Sequence, residues 1–393
     1  MKKHIKLLVV LGIILVESLS FYLFNGYKKD ALVYENNKIN PLSSGIAMML
    51  ETSVGSGNYE MTTRSEWPAE GYVFNVNLSK CENGSELSWD NENKKVLMSG
   101  NKSDKCYVYF DVYVKPTIAN TCSSGTNLAT CIKTFGDKGS SVSNIYHHDA
   151  SLTNGAGDNS YRFAGASDQV NNYVCFGSSE ASCPTDNLYR IIGVFGDKVK
   201  LIKSTSVGDK VWDTGGKNTW STSSLNNYLN NEFINAFDET TKGKIDTTTW
   251  KVGGNTYANI ANQPAKTAYQ NEIVNPVTTN ATDNAITYSA KVGLMYASDY
   301  GFAAAPSAWT TNLIAYSGEA IKNVNWMYMG LVEWTISRNA GYSNFAFIVN
   351  GTGYVAGGGN VTNAGGVRPV FSLSSFVNYA SGSGSATDPI LVN

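Results

Sequence analysis

Residues able to do chemistry are few in this chain. His147-His148-Asp149 is the one histidine cluster beyond the first residues. Neighbouring side chains on a strand point to opposite faces, so joint metal ligation requires a loop. The spacing reads as a solvated loop rather than a metal site. Asp149, Asp158 and Asp168 stand in glycine-containing stretches, where carboxylates can hold calcium, yet their spacing matches no calcium loop. Gly351-Thr352-Gly353-Tyr354-Val355-Ala356-Gly357 lacks the spacing of a dinucleotide loop and has no helix pattern after it. Turn glycines account for it. His-Glu-x-x-His, Gly-x-Ser-x-Gly and a usable Cys–His pair do not occur. Glu333 and Asp299 are the acids that folding could bring together, the pair a glycan or cell-wall hydrolase would need.

From Trp326 to Leu373 the chemistry is of another kind. Rigid aromatics alternate with short amides and hydroxyls, a composition suited to recognition and poor in groups that titrate or attack. Trp326, Tyr328, Arg338, Asn339, Tyr342, Asn344, Asn350, Tyr354, Asn360 and Asn363 are the expected ligand contacts: aromatics to stack, amides for directional hydrogen bonds. Trp326 divides evenly between this role and a core anchor. Trp334, inside an apolar strand-like segment, belongs to the core. Arg368 reads as a buried structural arginine paired with Glu333 or Asp299, because a buried charge needs a partner. Pro369 marks the run Val367 to Leu373 as an edge strand or a bulge.

The elements that must carry these residues fall into two parts. From residue 29 to 115, short β-rich runs such as Tyr72–Val76 and Tyr107–Val114, with a hairpin from Glu86 to Met98, predict a small β-sandwich-like domain serving as a spacer. Residues 116–143, rich in Ser, Thr and Gly, read as a linker. Residues 144–393 form the second domain. Within it Leu188–Val194 and Val199–Lys203 flank Gly196-Asp197, a hairpin signal. Leu225, Tyr228, Leu229, Phe233, Ile234 and Phe237 recur at helical spacing behind a Ser223 or Ser224 cap. A shorter helix is expected from Ser298 to before Pro306. The fold class is α+β.

Charged residues are 16% of the 393, the formal net charge is −2, and the cations are scattered. That excludes nucleic acid as a partner. Lys2, Lys3 and Lys6 precede the apolar run Leu7 to Val16, and hydrophobicity resumes at Phe21 to Phe24. Residues 1–28 are a signal anchor, or a signal peptide cleaved near Ser18-Leu19-Ser20. Either reading puts the remainder outside the cytoplasm, held to the membrane by a single N-terminal segment or secreted. The six cysteines agree, grouping locally as Cys81 with Cys106, Cys122 with Cys131 and Cys175 with Cys183; their connectivity stays open.

Tyr189–Gly193, Trp220–Asn230, Val292–Met295, Ser298–Gly301, Trp334–Arg338 and Gly366–Val370, taken together, resemble the C-type-lectin-like fold of formylglycine-generating enzymes, as found in uncharacterised surface proteins of Gram-positive gut bacteria. The likeness covers about Tyr173 to Leu373. It implies non-catalytic recognition of a glycan or surface protein, as an adhesin does. The redox chemistry of that enzyme type is not carried over, because no cysteine follows Cys183. Calcium is the ion that related lectins use; Asn262-Gln263-Pro264-Ala265 echoes their element without its acid, so no cofactor is expected. Some members of the fold are diversified by retroelements, and Arg338 to Asn363 would be the variable stretch here. A structural envelope component is the remaining alternative.

Overall fold

The computed structural model describes residues 31–33, 45–277 apart from 65, 69, 102, 179 and 181, and 286–393. The expected anchor or signal peptide at 1–28 lies outside the described residues. Among those described, no helix is long and apolar enough to cross a membrane. The chain divides into two units, Met1–Lys115 and Pro116–Asn393.

The first unit is built from two sheets. One carries Tyr59–Met61, Ile46–Glu51, Cys106–Val112 and Tyr72–Phe74, with Lys80–Cys81 also on Cys106–Val112; the other orders Ala31–Val33, Lys95–Ser99 and Glu86–Asp90. Alternation drives this arrangement. Ile46, Met48 and Leu50 from the first sheet and Val96 and Met98 from the second point into one core with Val108 and Phe110. The expected hairpin is present, with Glu86 to Asp90 paired antiparallel to Ser99 to Lys95.

The second unit is α+β, with many strands and few, short helices. Its nine-stranded sheet follows Val292–Gly293, Val370–Ser372, Lys198–Lys203, Leu188–Phe195, Tyr173–Cys175, Ile390–Val392 and Tyr379–Ser381; Tyr161–Phe163 joins Leu188–Phe195 off this path and continues to Ile145–His147. The hairpin turns at Gly196, whose φ of 63° suits the bend. A second sheet orders Asp209–Val211, Ala364–Gly366, Glu333–Arg338, Phe345–Val349 and Val355–Asn360. Among the described residues Thr248–Lys251 pairs with Thr287–Ala290 alone.

Three expectations are corrected here. Residues 116–143 are not a linker: Ile118–Thr121, Leu128–Gly136 and Ser140–Ser143 are helical, and Ile118, Leu128, Ile132 and Phe135 are buried in the second unit's core. Pro369 does not mark an edge, since Val370–Ser372 pairs on both sides, with Lys198–Lys203 and Val292–Gly293. The proline stands just before that strand, where a missing N–H is tolerated. The helix after Trp220 starts where the cap predicts, the Ser223 Oγ accepting from Asn226 N at 3.1 Å. It then loosens into a π-helical stretch, Tyr228–Phe233, as Asn230 Nδ2 competes for the Asn226 carbonyl at 3.2 Å and reaches Val292 O at 2.9 Å.

All six cysteines are bridged, Cys81–Cys106, Cys122–Cys131 and Cys175–Cys183. Three disulfides fit a protein that lives in an oxidising, extracytoplasmic compartment.

Candidate functional site

The expected recognition surface is broken up by the fold. Trp326, Arg338 and Asn339 are buried to within 2% exposure and are withdrawn as ligand contacts. Trp326 donates from Nε1 to Phe163 O at 2.8 Å while the Arg190 guanidinium covers its ring at 4.6 Å. Arg338 donates to Val277 O, and burial lowers its pKa to about 10. Asn339 donates to Gly357 O at 2.6 Å and accepts from Gly341 N. These groups position chain segments.

The others separate into two clusters at opposite ends of the strand pair Phe345–Val349 and Val355–Asn360. Tyr342, Asn344, Asn360 and Asn363 gather at one end, where Val361 N donates to Asn344 O, Asn363 N donates to Asn360 O, and the Tyr342 and Phe345 rings lie 5.3 Å apart. Tyr342 is 58% exposed. Tyr328, Asn350 and Tyr354 lie at the other end, with the Tyr328 hydroxyl donating to Gly351 O at 2.9 Å and Asn350 N donating to Tyr354 O. Asn350 and Asn360 each spend a side-chain oxygen on the N–H and hydroxyl of the threonine two residues on. Trp334 is a core residue, with Nε1 donating to Lys210 O. Arg368 is buried against Glu333, Nε to Oε1 at 2.5 Å and NH2 to Oε2 at 2.9 Å, a two-point pair.

The reading of the histidine pair as a solvated loop is corrected at His148. It is fully buried, its Nδ1 accepting from Ala156 N and its ring packed on Phe302 and Trp309. Burial lowers its pKa to about 3. His147 faces the other way and stacks on Tyr161 at 4.2 Å. Asp149 and Asp158 accept from Ser151 and Ser160 respectively. Among the described residues no group of three or more His, Cys, Asp and Glu is placed to hold a metal ion.

The strongest site is one the sequence patterns did not bring together. A pocket of about 240 Å³ is lined by Asp158, Arg162, Phe195, Lys200, Thr248 to Lys251, Tyr269, Ile273, Tyr296, Ser298, Asp299 and Ser372. Arg162 comes from Tyr161–Phe163, Lys200 from Lys198–Lys203, Trp250 and Lys251 from Thr248–Lys251, and Asp299 from the first turn of Ala297–Ala303. A chain of buried charges runs along it. Lys200 Nζ reaches Asp299 Oδ2 at 2.5 Å, Arg162 NH1 reaches Asp299 Oδ1 at 3.4 Å, and Arg162 NH2 reaches Asp158 Oδ2 at 2.5 Å. Arg162 Nε donates to Ser160 Oγ, and Tyr296 N donates to Asp299 Oδ2. Aromatic faces surround the cations: Phe195 lies 4.6 Å from Arg162 and 5.3 Å from Lys200, Tyr269 5.3 Å from Arg162, and Tyr296 4.7 Å from Lys200.

Electrostatics here are a balance between burial and pairing. Burial lowers the Lys200 pKa more than Asp299 restores it. Burial raises Asp158, yet Arg162 and Ser160 outweigh it and hold the acid at about 2. Beside the pocket Glu272 is buried, with Oε1 accepting from Ser298 N at 2.6 Å and Oε2 from Ser337 Oγ at 2.5 Å. Burial outweighs these bonds and raises its pKa to about 7. Both oxygens of Asp158 and of Asp299 already accept from the protein, so neither acid is set up to take a substrate proton. A wider cleft of about 460 Å³ near the Cys175–Cys183 bridge is lined by the exposed Glu180, Asp238 and Asn393 and has no buried charge.

One signal could have found this site. Arg162 and Lys200 are single cations inside apolar, β-prone runs, Tyr-Arg-Phe and Val-Lys-Leu-Ile, where burial demands a partner.

Residues 196–375 are similar to a family described as a domain of unknown function, DUF6273. No curated protein and no solved structure matches the chain.

Proposed function

We propose that this chain is an extracytoplasmic recognition protein whose second unit binds its ligand without transforming it. The carrying observation is the pocket, where aromatic walls enclose a row of charges whose acids are already engaged. Concave, mostly apolar cavities with a few fixed polar groups are what ligand sites look like. A hydrolase would instead need an acid held ready to give or take a proton. The order of elements, an early hairpin, a capped helix, a second short helix and a late set of strands, supports the C-type-lectin-like reading of the second unit, with the first unit as spacer and the N-terminal segment as membrane tether. Tyr342, Asn344, Asn360 and Asn363 are the part of the late surface still offered to a larger glycan or protein partner.

The test is a binding screen of the disulfide-intact chain against a glycan and mucin array and a panel of small molecules, followed by recovery of each hit. Ligand recovered unchanged, with binding lost in Ile273→Trp, which fills the pocket, is the expected result. Chemically altered ligand would overturn the non-catalytic reading. Binding lost in Tyr342→Ala and unaffected by Ile273→Trp would move the site to the late surface.

A further inference from the structure

We propose that the pocket takes a small monocarboxylate whose body is an apolar ring; the inference rests on the pocket being the ligand site. Charge decides the head group. Three cations line the pocket, Arg162, Lys200 and Lys251, against two acids, Asp158 and Asp299, which leaves one positive charge unmatched while the neighbouring Glu272 keeps its proton, up to about pH 7. Arg162 and Asp299 are buried to within 3% of side-chain exposure and Lys200 to 9%. Among the described residues the Lys200 ammonium donates only to Asp299, and the Lys251 ammonium meets no hydrogen-bond or ion-pair partner.

Hydrogen bonding points the same way. Asp299 accepts from Lys200, Arg162 and Tyr296 N, and Asp158 from Arg162 and Ser160. The acids have little acceptor capacity to offer a ligand cation, which two fixed cations would also repel. Spare donors remain on Lys200 and Lys251, and an ionised acceptor satisfies them best. Arg162 has its fork committed to Asp158 and Asp299, which leaves the lysines to hold the anion, and one unmatched positive charge is met by a singly charged head group rather than by a phosphate carrying about two charges. One carboxylate is the anion that fits.

Size and walls decide the body. At 240 Å³ the space is below the roughly 300–1,000 Å³ of pockets for drug-sized ligands, which suits one ring rather than an oligosaccharide. Phe195, Trp250, Tyr269, Ile273 and Tyr296 form the walls, and flat apolar faces there select an apolar ring.

Isothermal titration of the full chain with benzoate, cyclohexanecarboxylate and 3-phenylpropanoate, each beside its amide, tests this. The acid is expected to bind saturably and its amide about tenfold or more weaker, as loss of a charge-assisted bond implies. Lys251→Ala, a change at the pocket rim that spares the buried pairs, is expected to weaken the acid and leave the amide unchanged. Lys200→Met is expected to do the same more strongly. Acid and amide binding alike, or no acid binding at all, overturns the ligand class. If some other ligand then binds and is blocked by Ile273→Trp, the pocket reading survives that failure. If no bound ligand responds to Ile273→Trp, the pocket reading fails with it.

Discussion

Glu272 joins the chain's stability to pH. Its carboxyl ordinarily titrates near 4.5; burial holds the proton until about 7. Between those values the folded chain keeps a proton that the unfolded chain has released. Stability present below 4.5 is therefore lost as pH rises through 7. His148 opposes this. Burial keeps its imidazole neutral down to about 3 against an ordinary 6.5, so its contribution is present above 6.5 and lost as pH falls. A single pH profile adds the two effects. Subtracting the profile of Glu272→Gln, which keeps the shape and removes the titration, isolates one of them. The stability of the native chain relative to this variant should fall by about 3 kcal/mol as pH rises from about 4.5 to about 8, read by denaturant unfolding. A flat difference would show that Glu272 stays ionised throughout. Ser298 lines the pocket and its N–H holds Glu272, so the same titration reaches the pocket wall.

At the scale of elements, glycines decide how close strands come. Leu188–Phe195 has a bulge between Ile191 and Gly193, and a Cβ at Gly193 would lie 2.4 Å from Tyr161 O and 3.2 Å from Arg162 Cα. Gly193→Ala must push away the strand that carries Arg162. It should cost about 1–3 kcal/mol and weaken pocket binding, whereas Gly243→Ala, with open space around it, should do neither. Equal behaviour of the two variants in thermal unfolding and titration would refute the argument. Such contacts also mark the limit of what could be read beforehand. The hairpin at Gly196 and the start at Ser223 were legible because turn and cap chemistry are local. So was the burial of Trp334 and Arg368, each a large side chain in an apolar run. Gly359 and Gly365 were not. A Cβ on Gly359 would lie 2.7 Å from Trp334 Cζ3 and one on Gly365 3.0 Å from Trp334 Nε1, so they are seats for that ring, which no local pattern marks. Asn339 was misplaced, and Trp326 left undecided, for the same reason. Their partners Phe163 and Gly357 are 163 and 18 residues distant. The pocket was invisible as a whole, since Arg162 and Asp299 are 137 residues apart.

The molecule as a whole has two cores of unequal size that share no residue. Ile46, Met48, Val96, Met98, Val108 and Phe110 make most of the first, while the second draws on described residues from Ile118 to Ile390. A small core leaves a thin margin of stability, and Cys81–Cys106 ties the first unit's strands across 25 residues. Closing a loop of that length is worth about 3 kcal/mol, a large part of what such a unit has. Cys122–Cys131 and Cys175–Cys183 close loops of only 9 and 8 residues against a far larger core. Reductant should therefore open the first unit before the second. Limited proteolysis across a reductant series should remove the residues before about Pro116 while a fragment from there to Asn393 persists and still binds the pocket ligand. Cleavage of both units at the same reductant concentration would mean that the larger core depends on its bridges as much as the smaller one does.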